Sequence, residues 1–314
     1  MKLPKLCKDK QVNYKSIISG VIIAVFIGLG TIFILDKAKS PSDFQSGVLS
    51  VENTSKDETK EFTDFTSLSK YLESKPGIYG LYIKNLRTKN EYELNSNQIF
   101  YGASLYKILI GGAVYDLINS DELSYSYLYT YTSDDYATGT GVLKNYAIGS
   151  SYSVEKLLEY LFKNSDNVAQ NILERNISHK ALRDFYKSFL FELTEEETTG
   201  TFSEDVMTSP KEISDLFLSV YKTNKWPKET KRDFFTRLTG TQFEDRIATN
   251  LDSQLVFAHK IGNAPQYTTW HDCGVVFTKD FTNPTLVCLM SKNTNYEAFI
   301  EASHAVGDFV NTLY

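Results

Sequence analysis

The chain has 314 residues, 42% hydrophobic and 23% charged, enough to bury a sizeable core in one large domain or two small ones. Its net charge of −6 is unevenly spread, because Lys2, Lys5, Lys8, Lys10 and Lys15 precede residue 16 against a single Asp9. The remainder is therefore strongly acidic, which argues against a phosphate-binding face and excludes a nucleic-acid partner.

Residues 1–15 read as a cytoplasmic N-terminus. Ser16 to Leu35 is an unbroken run of uncharged, mostly apolar residues. At about 1.5 Å rise per residue, such a run spans the hydrocarbon core of a bilayer. The lysines before it favour an N-terminus in the cytoplasm and a body outside the cell, so the expectation is a single-pass signal-anchor helix at 16–35. A cleaved signal peptide is the rival, although its apolar stretch is usually only about 7–15 residues. Residues 36–62 are polar and aperiodic and read as a flexible stalk.

The body, residues 63–314, begins with an amphipathic helix near 64–74. A hairpin follows from Ile78–Leu86 and Glu91–Leu94, two aromatic and β-branched runs around a polar turn. Helical spacing marks 104–120, 154–164, 167–174 and 179–190. Pro210 opens a further helix to Tyr221, where its fixed φ suits the first turn. Strands return at 254–261, 273–278 and 285–291, before a last helix at 296–311. Strands at both ends with helices between predict an α/β (α+β) domain. Its antiparallel sheet is assembled from both termini and flanked by helices, with an all-helical subdomain inserted. Cys273 and Cys288 fall in consecutive strands, where a bridge is conceivable and two buried thiols are the expected state. Cys7 lies in the N-terminal segment.

Three short signals lie in order along this body: Ser104-Leu105-Tyr106-Lys107, Ser165-Asp166-Asn167 and Lys260-Ile261-Gly262. Each is common alone. Ser67 and Lys70, Ser153 and Lys156, Ser133-Asp134-Asp135 and Lys75-Pro76-Gly77 mimic them, and read as helix caps and surface charges. A serine opening an apolar helix has an unpaired N–H that can hold an oxyanion, with the helix dipole favouring negative charge. Lys107, one turn on, can take the serine proton if burial and a cationic neighbour such as Lys260 lower its pKa. Ser165 sits in a break between helices, where its hydroxyl can relay a proton. The amide of Asn167 can accept from a lysine and donate to a substrate carbonyl. Lys260 can bind a carboxylate, Gly262 lets substrate approach the strand edge, and the Asn263 N–H is a second oxyanion donor. His179, His259, His271 and His304 match no metal-binding spacing, and no cofactor is implied.

With these residues in hand, the chain resembles the class A β-lactamases and their relatives among the penicillin-recognising serine D,D-peptidases, whose signature is S-x-x-K, S-D-N and K-T-G. The resemblance spans nearly all of 63–314 and includes Gly139-Thr140-Gly141, the helix entry after Gly149 and Thr208-Ser209-Pro210. It implies a β-lactamase/transpeptidase-like fold and an acyl-enzyme on Ser104. Lys107 would be base or co-base, Ser165 the proton shuttle, and Asn167 and Lys260 substrate contacts. The implied partners are a β-lactam or a peptidoglycan stem peptide, met by a monomeric catalytic domain. Two departures stand out. Ile261 replaces the hydroxyl residue of the family pattern. The segment before Thr208 has Glu192, Glu195, Glu196, Glu197 and Glu204 but no Asn, so Glu192 or Glu204 would have to supply the deacylating base. A slowly deacylating penicillin-binding protein, or a non-catalytic cell-wall peptide sensor, are the competing readings.

Overall fold

Five strands set the frame: β1 (Ile78–Asn85), β2 (Glu91–Leu94), β7 (Leu255–Ala264), β8 (Thr269–Thr278) and β9 (Thr285–Lys292). They form one antiparallel sheet in the order β2-β1-β9-β8-β7. Ile78 pairs with Lys292 and Asn85 with Thr285, so the sheet is closed by strands from the two ends of the body, as its strand pattern predicts. Four short strands complete the set: β3 (Phe100–Tyr101) pairs with β6 (Met207–Thr208), and β4 (Leu128–Thr130) with β5 (Ser151–Ser153). The computed structural model describes residues 62–188 and 207–314. The expected span at 16–35, the stalk up to residue 61, Cys7, Glu192 and Glu204 lie outside them. Among the described residues no helix is long and apolar enough to cross a membrane.

Strand alternation divides the core in two. On one face α1 (Phe65–Ser74) and α8 (Tyr296–Asn311) cover Leu81, Ile83, Val276, Val287 and Leu289 with Leu68, Leu72, Phe299, Val306 and Val310. Asp64 and Asn295 cap these helices by accepting from the backbone N–H of Ser67 and Ala298, at 2.9 and 2.8 Å. On the other face lies the helical half: α2 (Lys107–Asn119), α3 (Val154–Lys163), α4 (Asn167–Asn176), α5 (His179–Ser188), α6 (Pro210–Lys222) and α7 (Lys228–Arg237). Helix α2 is buried continuously from Lys107 to Tyr115, as befits a segment apolar on all sides. Pro210 stands at the start of α6, where Ser209 and Glu212 form a reciprocal capping box.

Two features differ from expectation. Cys273 and Cys288 are directly opposite in β8 and β9, buried on the helical side of the sheet, and their sulfurs are bonded rather than free. Register decides this, since it sets two thiols on one face and in one cross-strand pair. Helix α7 carries only two apolar residues, Phe234 and Phe235, so its sequence shows no amphipathic period. Both rings are buried, and Phe234 meets the rings of Tyr115, Phe162 and Trp226 at 5.3–5.7 Å between centroids. Phe234→Ala should therefore lower stability by about 3–5 kcal/mol. The check is a urea unfolding curve, with the midpoint falling and the slope unchanged.

Candidate active site

The chain reaches Ser104 through a forced turn. Ala103 has φ +47°, a left-handed conformation that costs a non-glycine residue about 1 kcal/mol or more. The segment Ala103–Tyr106 is a single 3-10 turn, and α2 proper begins at Lys107, three residues after the start expected from spacing. Ser104 remains partly exposed while Leu105, Tyr106 and Lys107 are buried. The Lys107 ammonium donates to Ser165 O at 2.6 Å, Ser165 Oγ at 3.3 Å and Asn167 Oδ1 at 2.6 Å. None of its listeners is a carboxylate. Burial, only partly offset by the more distant charges of Asp166 and Glu174, pushes its pKa down to about 7.

Ser165 also adopts a left-handed backbone, φ +50°, between α3 and α4. The buried Asp166 beside it organises the surroundings. Its Oδ1 accepts from the N–H groups of Val168 and Ala169 at 2.9 and 3.0 Å, capping α4. Its Oδ2 accepts from Val142 and Leu143 at 2.6 and 2.8 Å, tying down the loop that carries Gly139 and Gly141. Gly141 is required here: φ is +113°, and a Cβ would lie 2.3 Å from Asp166 Cγ. Asn167 donates to Thr138 O at 2.8 Å, which leaves its Oδ1 for Lys107.

Lys260 enters from β7, the edge strand. Its ammonium, fully buried, donates to Ser165 Oγ at 2.8 Å and to Ile261 O at 3.0 Å. Burial first, then the like charges of Lys107 and Arg246, hold its pKa well below the usual lysine value. Because Ser165 Oγ accepts from both lysines, its own proton is left to donate elsewhere. The His259 N–H points away from β8 to Leu238 O at 2.9 Å. By alternation the Asn263 N–H faces the same open edge, the edge on which the Ser104 turn lies. Gly262 serves a different contact from the one expected: a Cβ there would meet Gly102 O at 2.9 Å and Leu105 Cγ at 3.2 Å. Its bare Cα admits the Ser104 segment itself. Ile261 is buried and brings no polar atom.

The structure thus brings Lys107, Ser165, Asn167 and Lys260 into one hydrogen-bonded cluster, with Ser104 at its exposed end and Gly262 and Asn263 along its strand edge. Glu192 and Glu204 lie outside the described residues. The mimics are elsewhere: Ser67 donates to its cap Asp64, Ser153 caps α3, Asp135 pairs with Arg175 at 2.7 Å and Lys75 with Glu301. Tyr136 is exposed at the surface. Among the described residues no group of His, Cys, Asp and Glu is arranged to hold a metal ion.

Arg246 is the residue that the sequence pattern did not single out. It is fully buried and donates to His271 O at 2.7 Å and to Asn263 Oδ1 at 2.9 Å, so it steadies the end of β7 beside Lys260. No motif marks it; a short polar stretch conceals it. Behind Lys260 a second buried group is assembled. His259 Nδ1 lies 2.5 Å from Asp272 Oδ1, and Nε2 lies 3.3 Å from Glu244 Oε1 and 3.2 Å from Thr241 Oγ1. Burial alone would lower the His259 pKa, but the two carboxylates outweigh it and push it up to about 9. His271 is the converse. Burial dominates and holds it down to about 4, neutral, donating from Nε2 to Tyr101 O at 2.7 Å just ahead of the Ser104 turn.

This fold and cluster define a serine hydrolase of the β-lactamase/transpeptidase-like class. Residues 65–314 match the beta-lactamase enzyme family, and the chain belongs to it. Beta-lactamase 1 of Bacillus cereus is 25% identical over 240 residues, covering 73% of this chain and 76% of that protein. A PBP-A variant solved as its acyl-enzyme complex with penicillin G superposes with a TM-score of 0.69 at 19% identity, over 79% of this chain and 95% of that one. A β-lactamase from Sphaerobacter thermophilus does so with 0.68, also at 19% identity, over 79% and 96%.

The His259 group gives a stability signature. A histidine whose folded pKa is raised contributes stability in full below its unfolded value near 6.5 and loses it as pH rises through about 9. His259→Gln should cost roughly 3–5 kcal/mol at pH 6, because it leaves the buried Asp272 unpaired. The deficit relative to wild type should shrink between pH 7 and 9.5. Chemical denaturation across that range measures it.

Proposed function

We propose that this protein is a membrane-anchored, extracytoplasmic serine hydrolase that forms an acyl-enzyme on Ser104 with β-lactams or D-Ala-D-Ala-like peptides. The observation that carries this reading is the convergence of two buried lysines on Ser165 Oγ beside a partly exposed Ser104. With its pKa near 7, Lys107 is substantially a free amine at neutral pH and can take the Ser104 proton as Oγ attacks the carbonyl carbon. The N–H groups of Ser104 and Asn263 receive the oxyanion. Ser165 then gives its proton to the departing nitrogen and is reprotonated from the lysines that donate to it. Lys260 and Arg246, close together and short of negative partners, suit a substrate carboxylate, which would restore the charge on Lys260.

Hydrolysis of the adduct is the finer question. No Asn occurs between residues 189 and 209, which favours slow release and a penicillin-binding, peptidase-like behaviour. Family membership favours turnover, with Glu192 or Glu204 as base. Support for the location comes from the lysine-flanked apolar run at 16–35 and from the Cys273–Cys288 bond, a linkage that persists in oxidising compartments.

A fluorescent penicillin should label the wild type covalently, Ser67→Ala equally, and Ser104→Ala not at all, as read by gel and intact mass. Absence of wild-type labelling across a broad β-lactam panel would remove the reading. The rate of labelling should rise with pH through about 7 and level off above it, because the neutral Lys107 amine is the active form. Stopped time courses between pH 5 and 9 test this.

A further inference from the structure

Glu174 stands seven residues, two helical turns, after Asn167 and so shares its face of α4. Helical side chains lean toward the N-terminus, which directs this one back along the face that meets Lys107. Gln170 Nε2 donates to its Oε2 at 3.2 Å. Its Oε1 is buried without a hydrogen-bond partner. An unsatisfied buried carboxylate oxygen is costly, so the group must either hold a proton or answer a nearby positive charge. The groups around it are Lys107 from α2, Gln170 on its own helix and Tyr186 from α5. Asp166, at the head of α4, acts on the same lysine. Lys260 meets Lys107 from the far side, through Ser165.

We propose that Glu174 is the counter-acid of Lys107, accepting the proton that Lys107 gives up when it becomes the base for Ser104. This rests on the reading of Lys107 given above. An Nζ–H bond breaks and an O–H bond forms on Oε1. Neither carboxylate oxygen touches Lys107, so one solvent water relays the proton, taking one from Nζ as it passes another on. The pair goes from ammonium and carboxylate to amine and acid with no change in net charge, and Nζ is then free to take the Ser104 proton. Burial pushes Glu174 up to about 8 and Lys107 down to about 7, so the exchange runs in the needed direction at neutral pH. The base is thus generated from within the helical half, by a residue outside all three sequence signals.

The test is an NMR titration of the full chain carrying 13Cε-labelled lysine, with the Lys107 signal assigned by Lys107→Arg. In Glu174→Gln the Lys107 midpoint should fall by about 0.5 pH unit or more, since an opposing charge that favours the ammonium is gone. Gln170→Leu, which removes the hydrogen bond that favours the carboxylate, should move it the same way by less, and serves if Glu174→Gln does not fold. An unchanged midpoint in the folded variant overturns the proposal. The pH profile of penicillin labelling should shift with the NMR midpoint; a shifted midpoint with an unmoved profile removes the proton-accepting role. If the wild type takes no label at all, the Ser104 reading fails, while the titration still decides the coupling.

Discussion

Everything about this site follows from two ammonium groups buried against one serine. Lys107 and Lys260 both donate to Ser165 Oγ, so their nitrogens are no more than about 6 Å apart. At an effective dielectric near 20, two full charges at that distance repel by about 3 kcal/mol. Their near partners are carbonyls, a hydroxyl and an amide, not carboxylates. Such an arrangement cannot keep both lysines charged, and the tension lowers both pKa values. A pair made to share too little negative charge is a pair ready to move a proton or receive an anion.

Holding that arrangement takes most of the surrounding chain. Asp166 spends all its acceptor capacity on four backbone donors and thereby binds the Gly139–Gly141 loop to the start of α4. Ala103 and Ser165 both accept left-handed backbone on either side of the cluster. Local strain of this kind persists only where packing over-determines it, and here α2 is buried along most of its length. On the far side of the sheet, Asp272 and Glu244 hold His259 charged, directly beside Lys260 in sequence but facing away from it. Opposite electrostatic outcomes at adjacent residues come from alternation along one strand: one side chain meets carboxylates, its neighbour meets cations.

Much of the scaffold was legible because its signals are local. The apolar helix after Ser104, the capped helix at Pro210, the β-branched strands and the final helix all carry their own period or cap. Helix α7 was not legible, since two adjacent phenylalanines make no period, and its place depends on the ring cluster it joins. The Ser104 turn was read as α-helix although it is 3-10, because spacing cannot register a single left-handed residue.

The sequence by itself determined which groups could do chemistry, and their order: three polar triplets, each recognisable from its own few residues. Tertiary structure alone decided how they are used. It set Gly262 against Gly102, brought Arg246 to Asn263, joined Cys273 to Cys288 and left one oxygen of Glu174 buried and unserved. Each of these depends on segments distant along the chain meeting at a given register and depth. Residue type records what a side chain can do. Burial and neighbours, which set its charge, exist only once the chain has folded.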